Sequence, residues 1–273
     1  MTTPSLPRDP PLRLAHVPGG PFSYTDEGAG PVVVAIHGLP GSVRDFRWLG
    51  AALPDTVRFV RLDLPGFGGT PLATAPDPSI AARGAFVIDA LRALAIPRCA
   101  VIGHSMGGAV ALSAAVQAPD RVAGLGLIAS IGLRPHHVLR RLAGPMLLAR
   151  AVDMPMLARP TRLMFRAMLR QAGFPTQQLT DDAVAHTLRC VAALDFQVQV
   201  RNTAQLTVPT LAAWALDDSL IERAVSEEHA GALPPGPRLV FAAGGHNIQK
   251  SQAVELAMGL LGMNGFGAPG LPL

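Results

Sequence analysis

Short apolar runs alternate along the chain with stretches in which apolar residues recur every three or four positions. Eight runs predict strands, at 12–17, 22–26, 31–36, 57–62, 99–103, 124–129, 210–214 and 238–241. The first two flank Gly19-Gly20, a turn signal that predicts an antiparallel hairpin. Residues 31–36 and 124–129 are apolar throughout, as strands covered on both faces require. Helical spacing fills the intervals. Ser42-Val43-Arg44-Asp45 resembles a capping box ahead of Phe46, Leu49, Ala52 and Leu53. Phe86, Val87, Leu91 and Leu94 share a face in 80–94, and a further helix follows Ser105 to about Gln117. Strands alternating with helices predict an α/β fold: a mostly parallel eight-stranded sheet with helices on both faces.

Between 131 and 206 the strand signal stops. Leucines, methionines and arginines at helical spacing predict an inserted helical cap, leaving 1–130 and 207–273 as the core. From Arg134 to Arg170 the stretch holds eight arginines and one acid, Asp153. In a helix expected to open at Pro160, Arg162, Arg166 and Arg170 share one face, while Met164, Phe165, Met168 and Leu169 lie away from it. The ordinary reading is a solvated basic face over a buried apolar one. The functional reading makes the apolar face the wall of an acyl pocket.

Composition narrows the classes. The 273 residues are 49% hydrophobic, which excludes a disordered tail. The net charge is +4, with a single lysine, Lys250. That basic balance raises nucleic acid as a partner, but aromatic content of 5% and the lack of any recognised binding motif argue against it. No secretory signal or membrane-spanning run is evident, so a soluble cytoplasmic protein is expected. The basic insertion and the apolar tail at 262–273 allow weak contact with a membrane surface. Cys99 and Cys190 form no paired motif.

The chemistry concentrates in Gly103-His104-Ser105-Met106-Gly107-Gly108, between an apolar strand and a helix-forming run. It fits G-x-S-x-G, a strand-to-helix turn that lifts a serine hydroxyl above a sheet, with glycines where side chains would collide. A serine nucleophile needs a base and the base an orienting group. Asp217-Asp218 follows the strand 210–214, and Gly244-Gly245-His246 follows 238–241. The order Ser, Asp, His fits this turn. Ile36-His37-Gly38-Leu39 offers the Leu39 N–H as a second oxyanion donor beside that of Met106.

Together with Asp63-Leu64-Pro65-Gly66-Phe67-Gly68 and Pro119-Asp120-Arg121-Val122, these motifs resemble the α/β-hydrolase superfamily from His37-Gly38 to Gly245-His246. The resemblance implies Ser105 as nucleophile, His246 as base and then acid, and Asp218 as the carboxylate. Asp217 is its rival, because Ala215 stands where members of this type carry the glycine of Gly-x-x-Asp. His37 is expected to fix the oxyanion loop, His104 to be the variable elbow position, and His136-His137 to be surface residues with no metal role. No nucleotide motif is present, so no cofactor is expected.

Three functions compete. A serine hydrolase would cleave a small to medium apolar carboxylic ester. A carbon–carbon bond hydrolase would give Arg162 or Arg166 a substrate carboxylate to hold, although His104 replaces the asparagine typical of such enzymes. A hydrolase-fold receptor would bind a ligand without turnover.

Overall fold

The computed structural model describes residues 7, 9–141, 144–171, 174, 176–177 and 179–263. Eight strands form one sheet: β1 (Arg13–Val17), β2 (Gly20–Glu27), β3 (Val32–Ile36), β4 (Arg58–Leu62), β5 (Cys99–His104), β6 (Val122–Ile128), β7 (Thr210–Ala215) and β8 (Arg238–Phe241). Their spatial order is β1-β2-β4-β3-β5-β6-β7-β8. The hairpin β1–β2 runs antiparallel and β2 pairs antiparallel with β4; every other neighbouring pair is parallel.

Eleven α-helices lie among the described residues. The first three are α1 (Arg47–Ala52), α2 (Ile80–Ala93) and α3 (Met106–Gln117). Five more stand between β6 and β7: α4 (His137–Arg141), α5 (Pro145–Ala151), α6 (Pro155–Gln171), α7 (Asp181–Ala192) and α8 (Phe196–Gln205). The last three are α9 (Arg223–Ala232), α10 (Ile248–Ser251) and α11 (Ala253–Leu261).

The pleat explains the two cores. Successive residues of a strand point to opposite faces. Val34 and Ile36 of β3 therefore join Phe86, Leu91, Val110 and Leu112 of α2 and α3 on one side. Val33 and Ala35 join Leu49, Leu256 and Leu260 of α1 and α11 on the other. The chain leaves β3 to form β4 on one side and β5 on the other. This reversal opens a crevice at the carboxyl ends of β3 and β5, where ligands of such sheets bind.

Some local expectations change. Ser42 Oγ accepts from the Arg44 N–H at 3.3 Å, so 43–46 is a 3-10 turn rather than a capping box, and α1 starts at Arg47. The strand expected to include Ala129 ends at Ile128, because Ala129 turns to φ 42°. The helix expected to open at Pro160 opens at Pro155, because the N–H groups of Leu157 and Ala158 already bond the Met154 carbonyl. Proline suits that first position, where no N–H is needed. Of the tail 262–273, residues 264–273 lie outside the described residues. Among the described residues, no helix is long and apolar enough to cross a membrane.

Candidate active site

Ser105 stands between β5 and α3 with φ 54° and ψ −124°. A non-glycine residue there carries strain of order 1–3 kcal/mol, held by its surroundings. The Ser105 N–H donates to the Ile128 carbonyl at 3.0 Å, and its own carbonyl accepts from the Gly108 N–H at 3.0 Å. A side chain at Gly103 would overlap the Gly107 carbonyl, and one at Gly107 would overlap the carbonyls of Ile36 and His37. The two glycines thus let the elbow close and let α3 press against the end of β3.

His246 and Asp218 come from the loops after β8 and β7. The Nδ1 of His246 lies 2.8 Å from Asp218 Oδ2. The other carboxylate oxygen accepts the N–H groups of Leu220 and Ile221 at 2.8 and 3.0 Å. Burial raises the Asp218 carboxyl, but the imidazole and the two amides outweigh it and hold it below the usual range. An ionised carboxylate only accepts, so the His246 Nδ1–H donates to it, and in the neutral imidazole this leaves Nε2 as the acceptor. Nε2 is buried and has no hydrogen-bond partner among the described residues.

Asp217 does not reach the imidazole. It is exposed and accepts the N–H groups of Gly245 and Gly244 at 2.8 and 3.2 Å, which lower its carboxyl below the usual range. It ties the loop after β7 to the loop that carries His246.

Three further histidines hold the site. His37 Nδ1 donates to the Gly38 carbonyl at 2.7 Å, and its Nε2 accepts the Leu64 N–H at 3.0 Å. This single tautomer joins the loops after β3 and β4, and complete burial lowers its pKa. His104 is also buried; its Nε2 donates to the His246 carbonyl at 2.9 Å, and burial pushes its imidazole down to about 3. His136 is buried, with its imidazole pushed down by desolvation to about 4, which corrects the expectation of a surface residue. The N–H of its neighbour His137 donates to Glu222 Oε2 at 2.9 Å, while Arg140 reaches Oε1 at 2.5 Å. Nothing in the spacing of His104, His136 or Glu222 marks these contacts, which depend on loops that meet only in the folded chain.

A cavity of about 610 Å³ contains Ser105 and His246, and Leu39 and Met106 line it beside them. Phe165, Met168 and Leu169 of α6 line it as well; Met164 does not, and is exposed. No arginine is among the described lining residues. Arg166 instead donates to the carbonyls of Thr176 and Leu179 at 2.8 and 2.9 Å and to Asp181 at 2.9 Å, and Arg162 lies 3.7 Å from the same carboxylate. No group of three potential metal ligands occurs among the described residues.

A sequence model of the α/β hydrolase fold matches residues 31–151. The chain is 30% identical over 245 residues to the dihydrolipoyllysine-residue acetyltransferase component of the acetoin cleaving system of Pseudomonas putida. That match covers 88% of this chain and spans 65% of the relative's length. It is also 30% identical over 265 residues to RutD of Variovorax paradoxus, a candidate carbamate hydrolase, covering 92% of this chain and 99% of that one. In fold it is similar to an esterase from Exiguobacterium antarcticum, with a TM-score of 0.73 and 17% identity over 91% of this chain and 97% of the other. With the strand order, the elbow and these relatives together, the chain belongs to the α/β-hydrolase family.

Proposed function

We propose that the chain is a serine hydrolase that cleaves small to medium apolar carboxylic esters through an acyl-enzyme. The observation that carries this reading is the Asp218–His246 pair, whose imidazole, with an Nε2 that has no hydrogen-bond partner among the described residues, shares an apolar cavity with Ser105. In this mechanism Nε2 takes the Ser105 proton as Oγ attacks the ester carbonyl. The N–H groups of Leu39 and Met106 hold the oxyanion. The imidazolium, steadied by Asp218, protonates the departing alcohol. Water then enters, gives its proton to Nε2 and attacks the acyl carbon; the carboxylic acid leaves and Ser105 is restored. Residues 131–206 act as a cap over the core of 1–130 and 207–273, and α6 supplies the apolar wall that receives the substrate. The cytoplasm suits a chain with two free, buried cysteines.

A p-nitrophenyl ester series tests this. Turnover in the wild type and its loss in Ser105→Ala support the reading; equal rates in both overturn it. The likeness to RutD along nearly its whole length favours carbamates as a second substrate class. The same triad would attack a carbamate carbonyl, and matched p-nitrophenyl carbamates in the panel separate the two. The carbon–carbon reading loses its motive, because Arg162 and Arg166 serve α7 and the segment before it rather than the cavity.

A further inference from the structure

Helix α6 has two apolar faces, and only one is covered. Thr161, Phe165 and Leu169 turn inward and are buried. On the outside, Met156 is 91% exposed and Leu163 58%, and Leu157 and Met164 are exposed with them. At about 100° per residue, Met156, Leu157, Pro160, Leu163, Met164 and Ala167 fall in one stripe roughly 120° wide. Leu147 of α5 and Met154, just before α6, add further exposed apolar surface. Clustered exposure of this kind marks a docking face, whereas scattered single residues need no explanation.

Charge identifies what docks. The sequence of α6 contains four arginines, Arg159, Arg162, Arg166 and Arg170, and no acid. Arg170 and Arg159 border the outer stripe, while Arg166 and Arg162 turn progressively toward the buried face. Arg162 and Arg166 pair with Asp181, but among the described residues no ion pair engages Arg159 or Arg170, and both are exposed. A second copy packed face to face would bring these cationic edges together, with no acid on either helix to pair them. A bilayer rich in anionic phospholipid meets both demands: headgroups for the arginines and an acyl boundary for the methionines and leucines.

We propose that α6 is a peripheral membrane-docking helix that lies along an anionic lipid surface with its Met156–Leu163–Ala167 stripe inserted. Phe165 and Leu169, on the opposite face, line the cavity. Docking therefore brings the cavity within about one helix diameter, roughly 10 Å, of the lipid. The inference goes beyond the serine-hydrolase reading and does not depend on it, because lipid binding needs no turnover.

Co-sedimentation of the full chain, and separately of its Ser105→Ala variant, with phosphatidylcholine vesicles tests this, with and without phosphatidylglycerol. Binding is expected to strengthen about tenfold or more when phosphatidylglycerol is present, and to weaken at high salt. Met156→Glu with Leu163→Glu should abolish binding, and Arg159→Gln with Arg170→Gln should reduce it to the level of neutral vesicles. These side chains are exposed, so circular dichroism is expected to show unchanged folding. Absence of binding to the anionic vesicles, or binding indifferent to both pairs of substitutions, overturns the proposal. A solution dimer that the glutamates dissociate, without vesicle binding, overturns it too and gives the face to a second copy.

Discussion

His104 holds His246 by its main chain: the Nε2 of His104 donates to the His246 carbonyl at 2.9 Å, and the two rings stand 4.8 Å apart. The residue just before the serine thus fixes the loop that carries the imidazole. A carbonyl only accepts, so His104 acts as the neutral Nε2–H tautomer. Replacing it by phenylalanine keeps the ring and removes the donor. Ester kcat should fall about five- to tenfold, the equivalent of roughly 1–1.4 kcal/mol, with KM little changed. An unchanged kcat in steady-state assays would show that the contact is passive.

The two neighbouring aspartates should separate cleanly. Asp218 faces the imidazole and Asp217 the glycine amides beside it. Asp218→Asn should lower kcat by about 10⁴-fold, the loss known for the equivalent change in a serine protease triad. Asp217→Ala should cost far less than a hundredfold, by loosening the loop alone. Measuring kcat for both variants decides between them, and a reversed ranking would make Asp217 the orienting carboxylate.

Acid should weaken the fold well above the carboxylate range. Burial pushes His104 down to about 3 and His136, His186 and His229 down to about 4. Their unfolded forms titrate near 6.5, so below that pH the unfolded chain binds more protons. The stability these neutral imidazoles contribute is complete above about 6.5 and is lost as pH falls toward 4 and then 3. Asp45 opposes this, since burial raises its carboxyl to about 7 and its contribution fades as pH rises. Burial also lowers His37, which adds to the loss, and raises the Glu27 carboxyl, which opposes it, so five imidazoles outweigh two carboxyls. Thermal melts should give a Tm several degrees lower at pH 5 than at pH 7; an equal or higher Tm at pH 5 would contradict this balance.

Arg166 acts as a clasp within the inserted helices. Its guanidinium bonds two carbonyls and a carboxylate between Thr176 and Asp181, and Phe174 nearby lines the cavity. Arg166→Met should destabilise this region by about 1–2 kcal/mol and speed proteolytic cleavage near 174–181. Limited proteolysis followed by mass spectrometry reads the effect. Protection equal to that of the wild type would deny the clasp.

The sheet was legible in the sequence because its signals are local. An all-apolar run such as 31–36 has to be covered on both faces, and Gly19-Gly20 has to turn. The elbow was legible for the same reason, since Gly103, Ser105 and Gly107 meet one another within a single turn. Contacts across loops left no such trace. Asp217 reads as a solvated acid until Gly244 and Gly245 arrive from 27 and 28 residues downstream. His136 reads as a surface residue until Glu222 draws the segment in through His137 and Arg140. On α6 the periodicity was clear but its meaning was incomplete. A stripe of apolar residues shows that a face exists, and packing alone decided that Phe165 would be covered and Met156 left outside.

The central claim is that Ser105, activated by His246, is the nucleophile. A fluorophosphonate probe reacts with an activated serine, and peptide mapping locates the adduct. The account predicts one phosphonylated residue, Ser105, in the wild type, labelling slowed by orders of magnitude in His246→Ala, and none in Ser105→Ala. A folded wild-type protein that stays unlabelled, or an adduct on any other residue, would contradict it.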